Sequence, residues 1–341
     1  MNTQPLVAIV ILNYNGKVFL EKFLRYVVDS TYANKRVIVA DNASQDDSVN
    51  YLRQHFPEVE IIINEKNYGF AEGYNQALKR VSADYYILLN SDVEVTPQWI
   101  EPVINLMESD KKIAACQPKI LSYHNRNMFE YAGAGGGMLD HLGYPLARGR
   151  VFEIMETDNG QYNDSTDVFW ASGCALFVKA EVYNQMGGLY NYFFAHQEEI
   201  DFCWRLQCHG YRVVYCGASE VYHVGGGTLP KGQYRKTYLN FRNNLIMLSR
   251  NLDKREKYWK LLVRLILDGV FAIKTLFEGD FESIRAVFFA HMHFYKWSFS
   301  KENKTDNLRL PFSKLRGGIS KSVVFEHFIK GKKYFSEIIC S

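Results

Sequence analysis

Over the first third of the chain, unbroken apolar runs alternate with segments of helical periodicity. Leu6 to Leu12 is apolar throughout and ends at Asn13-Tyr14-Asn15-Gly16, and a helical pattern follows from Val18 to Val28. Arg36 to Ala40 is a second run, stopping at Asp41, with helical spacing from about Asp46 to His55. Glu60 to Ile63 precedes a helix predicted over Phe70 to Val81, and Tyr85 to Leu89 stops at Asn90. Thr96-Pro97 predicts another helix start, because proline is tolerated in a first turn. Apolar strands separated by amphipathic helices mean βαβ units and a parallel sheet covered on both faces. Right-handed crossovers gather the strands' C-terminal ends along one edge, where ligands bind in such sheets. Asn13, Asp41, Asn64 and Asn90 fall on that edge.

From about Ile113 to His223 the pattern is less regular. Tyr131 to Gly137 reads as a glycine-rich loop and Arg148 to Asp164 as a mobile excursion. A strand is predicted over Val168 to Val178, a helix from Glu198 to His209 closed by Gly210, and a strand from Tyr211 to Cys216. On a wheel of 100° per residue, Glu256, Lys257, Lys260, Arg264, Asp268, Lys274 and Glu278 share one arc, and leucine, isoleucine, valine and phenylalanine fill the rest. Arg264 and Asp268 at the centre exclude a membrane-spanning helix. Two readings remain, a helix lying on a membrane surface and a helix packed on the rest of the chain or across a homodimer. The aromatic and basic residues from Phe288 to Trp297 favour the membrane surface.

Composition adds a charge asymmetry. From Asp253 onwards, 17 Lys plus Arg stand against 10 Asp plus Glu, a net of +7, while the rest of the chain is at −4. The basic end suits an anionic partner, and without a nucleic-acid motif a membrane surface is the better fit than nucleic acid. Six cysteines without CxxC or zinc-like spacing read as reduced thiols of a cytoplasmic protein. The first apolar run lacks a basic flank and is too short for a signal peptide.

Four short segments carry candidate chemistry. Asp41 either forms an Asx turn or accepts the N3–H of a pyrimidine base. Asn67 to Asn75 sets Gly69 and Gly73 around a helix start, where free N–H groups favour anions. Asp92 in Asn90-Ser91-Asp92, with His223, offers ligands to a divalent cation that bridges diphosphate oxygens. Gly225-Gly226-Gly227-Thr228 then reads as a flexible loop able to close over phosphates. Glu198 and Glu199 open a helix behind aromatic Tyr192-Phe193-Phe194, surroundings that desolvate a carboxylate and raise its basicity. Asp201, four residues before Arg205, reads as an ion pair within the helix.

Taken together, Val39 to Ser44, Asn67 to Asn75, Leu88 to Asp92, Ser172 to Leu176, Phe193 to Arg205, Val221 to His223 and Tyr238 to Asn244 resemble the inverting family 2 glycosyltransferases of GT-A fold, in the bacterial rhamnosyltransferase-like branch. The resemblance covers about residues 5 to 250. It implies a GT-A catalytic domain over 1–250, a mostly parallel sheet flanked by helices, and a helical C-terminal region over 251–341. It implies transfer of a sugar from a dTDP- or UDP-sugar to a saccharide hydroxyl, with a polyprenyl-diphosphate-linked acceptor suggested by the basic tail. Asn13, Asp41, Asn67, Gly69, Asn75, Asn90 and Asp92 would line the nucleotide-sugar pocket. Asp92 and His223 would hold Mg²⁺ or Mn²⁺, and Glu199, supported by Glu198, would be the base. Asn90-Ser91-Asp92 departs from the usual Asp-x-Asp and Glu198-Glu199 from the usual Glu-Asp, so both glutamates are candidates for the base. The chain would work in the cytoplasm or on the inner face of the cell membrane. A nucleotidyltransferase or dehydrogenase would need a glycine-rich loop after the first strand, which Asn13 to Gly16 does not supply. A non-catalytic scaffold that binds sugar nucleotides is the remaining alternative.

Overall fold

The computed structural model describes residues 4–225, 234–303 and 308–339. The chain opens with β1 (Val7–Asn13), α1 (Lys17–Val28), β2 (Lys35–Asp41), α2 (Ser48–His55), β3 (Glu60–Ile63), α3 (Gly69–Leu78) and β4 (Tyr85–Asn90). Strands β3, β2, β1 and β4 lie side by side and parallel. Alternate residues of β1 feed the two faces: Ala8 and Val10 pack with α3, and Val7, Ile9 and Ile11 with α1. A strand buried on both faces has no polar positions to alternate, hence the unbroken apolar runs.

Beyond β4 the sheet becomes mixed. β5 (Val93–Val95), α4 (Glu101–Ser109) and β6 (Ile113–Ser122) come next. The helix expected from Thr96-Pro97 starts at Glu101 instead, with Pro102 in its first turn. Thr96 is held by the carbonyl of Glu220, which its hydroxyl reaches at 3.1 Å, and Trp99 is buried, so residues 96–100 turn before the helix begins.

The segment read as a mobile excursion is built into a second sheet. Here β7 (Gly137–Asp140), β8 (Pro145–Ala147), β9 (Arg150–Val151) and β10 (Ile154–Met155) pair in sequence as antiparallel neighbours. Buried Arg148 reaches Asp164 Oδ1 at 2.6 Å and lies over the rings of Tyr162 and Tyr215. Strands of two to four residues carry too little periodicity to be seen in sequence.

The chain returns to the first sheet through β11 (Ser165–Asp167) and β12 (Ala175–Lys179); the strand expected over 168–178 is confined to its second half. β12 runs antiparallel between β4 and β6, and β13 (Arg212–His223) pairs with β6 in parallel. Between them lie α5 (Ala180–Gln185) and α6 (Glu198–Cys208), the latter followed by His209 and a left-handed Gly210. The antiparallel turn of β12 sets Ser172–Cys174 beside the end of β4, where Asn90 N–H donates to Cys174 O at 3.0 Å.

After β13 come α7 (Tyr234–Asn251), α8 (Lys254–Phe277), α9 (Phe281–Ser298), β14 (Gly318–Ile319) and α10 (Phe335–Ile339). Residues beyond 250 are therefore not wholly helical: β14 joins the second sheet beside β7. Among the described residues no helix is long and apolar enough to cross a membrane. On α8 the polar arc of the wheel turns inwards. Lys260, Arg264 and Asp268 are buried against the body, while Leu262, Ile266 and Ile273 face outwards. The inward charges are matched: Arg264 lies 3.4 Å from Asp268 Oδ1 and stacks on Tyr144, and His291 reaches Asp268 Oδ2 at 3.1 Å.

Candidate active site

The C-terminal ends of β1 and β2 carry Asn13 and Asp41 side by side. Asn13 Nδ2 donates to Asp41 Oδ1 at 3.0 Å, and Asp41 Oδ2 accepts the Ser44 N–H at 2.9 Å, so Asp41 does form the Asx-type turn. Next to it, Asn42 ties three elements together. Its amide donates to Asn67 Oδ1 and Gly69 O, and its own oxygen accepts from Asn64 and the Tyr68 N–H.

Gly69 starts α3 with φ +76°, and a Cβ there would lie 2.5 Å from Phe194 O. This position needs glycine for both backbone freedom and space. Two of the N–H groups expected to be free for an anion are already engaged: Gly69 N donates to Asn67 Oδ1 and Phe70 N to Phe194 O. Asn75 lies two turns further on and is fully used inside the fold. It donates to Leu189 O and Glu72, and accepts from Tyr183 and Leu189 N. Asn75 thus joins α3 to residues 183–189 rather than facing the strand edge.

At the end of β4, Asp92 meets His223 from the end of β13, because β5 pairs with β13 directly after the Asp92 turn. His223 Nε2 lies 3.2 Å from Asp92 Oδ1, and His223 Nδ1 lies 3.0 Å from Glu130 Oε2, out of line for a full hydrogen bond. All three side chains are buried. Burial works against ionisation of Asp92 and of Glu130, but the charge of His223 outweighs it and holds both below the usual carboxylate range. Burial likewise works against a charged His223, yet Cys174, Asp92 and Glu130 push it well above the usual range. Among the described residues no three such groups converge on one point, since the two carboxylates contact opposite ring nitrogens. The Asp92–His223 pair nevertheless fits a cation: adjacent ligands on an octahedral ion with bonds of 2.0–2.1 Å are about 3 Å apart. Glu130 stands where a second carboxylate orients a ligating imidazole through its far nitrogen. Sequence reasoning missed Glu130, an isolated acid before a glycine-rich loop with no motif around it. The loop expected to close over phosphates falls mostly in residues 226–233, outside the described residues.

Glu198 and Glu199 begin α6 directly after two left-handed residues, His196 (φ +72°) and Gln197 (φ +74°). Non-glycine residues in this region are strained and must be held by their surroundings. The holder is the Arg242-Asn243 pair of α7: Asn243 Nδ2 donates to Ala195 O and His196 O, both at 2.8 Å, and Arg242 reaches Tyr192 O. One carboxylate oxygen of each glutamate is buried without a partner. Burial pushes Glu199 up to about 7, and burial together with Glu199 pushes Glu198 well above the carboxylate range. Asp201 goes the other way. It is fully buried, and Arg250 and Arg205 overcome its burial and hold it below the usual range. It accepts from Arg205 at 2.9 Å, Arg250 at 3.0 Å and Asn251 at 2.7 Å, anchoring α6 on α7.

One short segment links the two halves. Ala171 N donates to Cys203 Sγ, one turn after Glu199, and three residues later Cys174 packs beside His223. Ala175 N donates to Ser172 O at 3.2 Å, so this segment closes a turn between the two. Phe194, four residues before Glu198, in turn accepts from Phe70 N at the start of α3, at 2.7 Å.

Comparisons with known proteins bear on the family and the fold. Residues 8–183 match the family described as glycosyl transferase family 2. A low-salt glycan biosynthesis hexosyltransferase of Haloferax volcanii is 23% identical over 302 residues, covering 84% of this chain and 90% of the relative. An N-acetylglucosaminyl-diphospho-decaprenol L-rhamnosyltransferase of Mycobacterium tuberculosis is 23% identical over 285 residues, covering 78% and 91%. Among solved structures, GalNAc-T7 with UDP, GalNAc and Mn²⁺ superposes with a TM-score of 0.59 at 13% identity. The match covers 74% of this chain but only 49% of that one. The mannosyltransferase PcManGT of Pyrobaculum calidifontis, with GDP-Man and Mn²⁺, gives 0.52 at 13% identity, covering 89% and 83%. At such identities these structures speak for the fold.

Proposed function

The chain belongs to glycosyl transferase family 2, and from that membership we propose an inverting transfer from a UDP- or dTDP-sugar to a hydroxyl of a lipid-linked saccharide. Sugar transfer itself follows from the family and from relatives named as hexosyltransferase and rhamnosyltransferase. The finer reading is supported chiefly by one observation, the two glutamates at the start of α6 that each bury one carboxylate oxygen without a partner, with Glu199 pushed up to about 7.

A base for a sugar hydroxyl should have a pKa near the working pH and sit where water does not solvate its charge. Glu199 has both properties. In the proposed reaction the acceptor oxygen attacks the anomeric carbon as Glu199 takes its proton. The bond from that carbon to the diphosphate oxygen breaks, and its electron pair leaves with the nucleoside diphosphate. One displacement without an enzyme nucleophile inverts the configuration. Glu198, held protonated by burial and by its neighbour, can donate a hydrogen bond and keep the second charge out of the pocket.

Asp41 and Asn67 would face the base and ribose at the strand edge, with Gly69 leaving room for the chain of Phe194. Asn13 keeps one buried carbonyl oxygen without a partner, an acceptor available to a ligand. Asp92 and His223 would hold a divalent cation, with Mn²⁺ favoured because imidazole suits it better than Mg²⁺. When bound, that cation neutralises charge on the departing diphosphate. An acceptor on a polyprenyl chain would place the reaction at the cytoplasmic membrane surface, with this chain as a peripheral protein.

A non-catalytic scaffold has no use for two glutamates that each bury a carboxylate oxygen without a partner, because that desolvation opposes folding. The test is incubation with UDP- and dTDP-sugars, with Mn²⁺ and a polyprenyl-diphosphate saccharide, followed by NMR of the new linkage. Inverted configuration is expected. A retained configuration, or no consumption of any donor, would overturn the proposal.

A further inference from the structure

We infer that the outer face of the α8–α9 pair docks on an anionic lipid bilayer, an inference that takes its choice of partner from the lipid-linked acceptor proposed above. α8 and α9 run back to back around a turn at Gly279, as the mid-helix contact of Asp268 with His291 requires. On α8, Trp259, Leu262, Ile266, Val270, Ile273 and Phe277 all face outwards, with Leu262 59% and Phe277 86% exposed. They recur every three or four residues, one continuous stripe on a helix about 36 Å long. On α9, Phe281, Phe288, Met292 and Tyr295, with Phe299 just past its end, form a second outward stripe.

An ordinary surface helix turns its polar arc to water. α8 does the opposite, committing Lys260, Arg264 and Asp268 to the interior while its apolar arc stays uncovered. Contiguous apolar patches of this extent mark an interaction surface. Charge selects the occupant. Lys254, Arg255 and Lys274 on α8 and Arg285 and Lys296 on α9 are exposed around the stripes, whereas Glu278, Asp280 and Glu282 gather at the connecting turn. These five exposed basic groups against three acidic ones leave the face a net +2, so two copies meeting here would repel, and an anionic bilayer would attract. Trp and Tyr in the stripes suit the headgroup boundary.

This face also communicates with the active site through few bonds. His293 of α9 meets the Tyr238 hydroxyl at 2.7 Å, Arg242 donates to the same hydroxyl, and Arg242-Asn243 hold the strained turn before Glu198. Docking would thus bring the site to the membrane surface that carries the acceptor.

The test is vesicle flotation of the full chain with phosphatidylcholine alone and with added phosphatidylglycerol, for the unaltered protein and for Ile266→Glu/Ile273→Glu. Both isoleucines are exposed and outside the catalytic machinery, so donor consumption without vesicles should be unchanged, which also reports correct folding. Flotation with the anionic vesicles is expected, and the double substitution should lower the partition coefficient roughly a hundredfold. Equal flotation of the variant, no flotation of the unaltered protein, or indifference to phosphatidylglycerol would overturn the inference. So would a vesicle-free dimer that the substitutions dissolve, which would assign the face to a second copy. Absence of donor consumption in both proteins would sink the transferase reading while leaving the flotation result to stand or fall by itself.

Discussion

Replacing Asp201 by Asn should destabilise this protein far more than any surface ion pair would. The substitution keeps shape and removes only the charge. Asp201 is fully buried, and the two arginines that donate to it, Arg205 and Arg250, are each 6% exposed. Arg205 retains the carbonyls of Met186 and Gly188, and Arg250 retains the ring of Tyr190, but among the described residues neither keeps a counter-charge. Breaking a buried pair by removing one partner costs about 3–5 kcal/mol, against about 0.3–0.5 for an exposed helical pair. That is a large share of the ~5–15 kcal/mol by which a domain is stable. Urea denaturation at neutral pH, with Glu60→Gln as the exposed control for its bond to Arg36, measures the difference. The pH dependence has a definite sign. Asp201 is held below its unfolded value, so its contribution is complete above the ordinary carboxylate range and is lost as pH falls through the folded value. A loss below about 1 kcal/mol in Asp201→Asn would refute the anchor argument.

Other expectations are independent of this one. Gly69→Ala should cost about 1–3 kcal/mol or more, read by thermal denaturation, because its Cβ would strike Phe194 O at 2.5 Å from a left-handed backbone; unchanged stability would contradict it. Asp92→Ala should abolish the Mn²⁺-dependent part of donor binding in calorimetry, and full retention would remove Asp92 from the cation site. Because His223 is held protonated, a cation must displace its proton, so Mn²⁺-dependent donor affinity should rise with pH and release a proton on binding. Glu130→Gln should weaken that affinity by about 10- to 100-fold while leaving cation-free nucleotide binding intact; no change would make Glu130 a bystander.

Much of the parallel half was legible because a strand covered on both faces must be apolar throughout, and its first polar residue marks its end. Asn13, Asp41 and Asn90 were found that way. Contacts made across the fold were not legible. Glu130 reaches His223 from a loop, Asn75 spends its amide on Leu189, and Arg242-Asn243 hold a turn almost fifty residues earlier in the chain. The α8 wheel separated two arcs correctly, but periodicity cannot say which arc faces inwards. That depended on Tyr144 and His291, partners distant in sequence that take up Arg264 and Asp268. Short strands of the second sheet, and the turn at 96–100, were decided by pairing partners rather than local preference.

The base is the centre of the account, and Glu199→Gln tests it most directly. Transfer to the acceptor should fall by about 10²–10⁴-fold, with donor binding retained. Because Glu199 is pushed up by burial, its charge opposes folding as pH rises from the unfolded value through about 7. The same substitution should therefore raise the melting temperature above that pH. Transfer at an undiminished rate, with the unaltered protein's loss of activity below pH ~7 still present, would contradict the assignment.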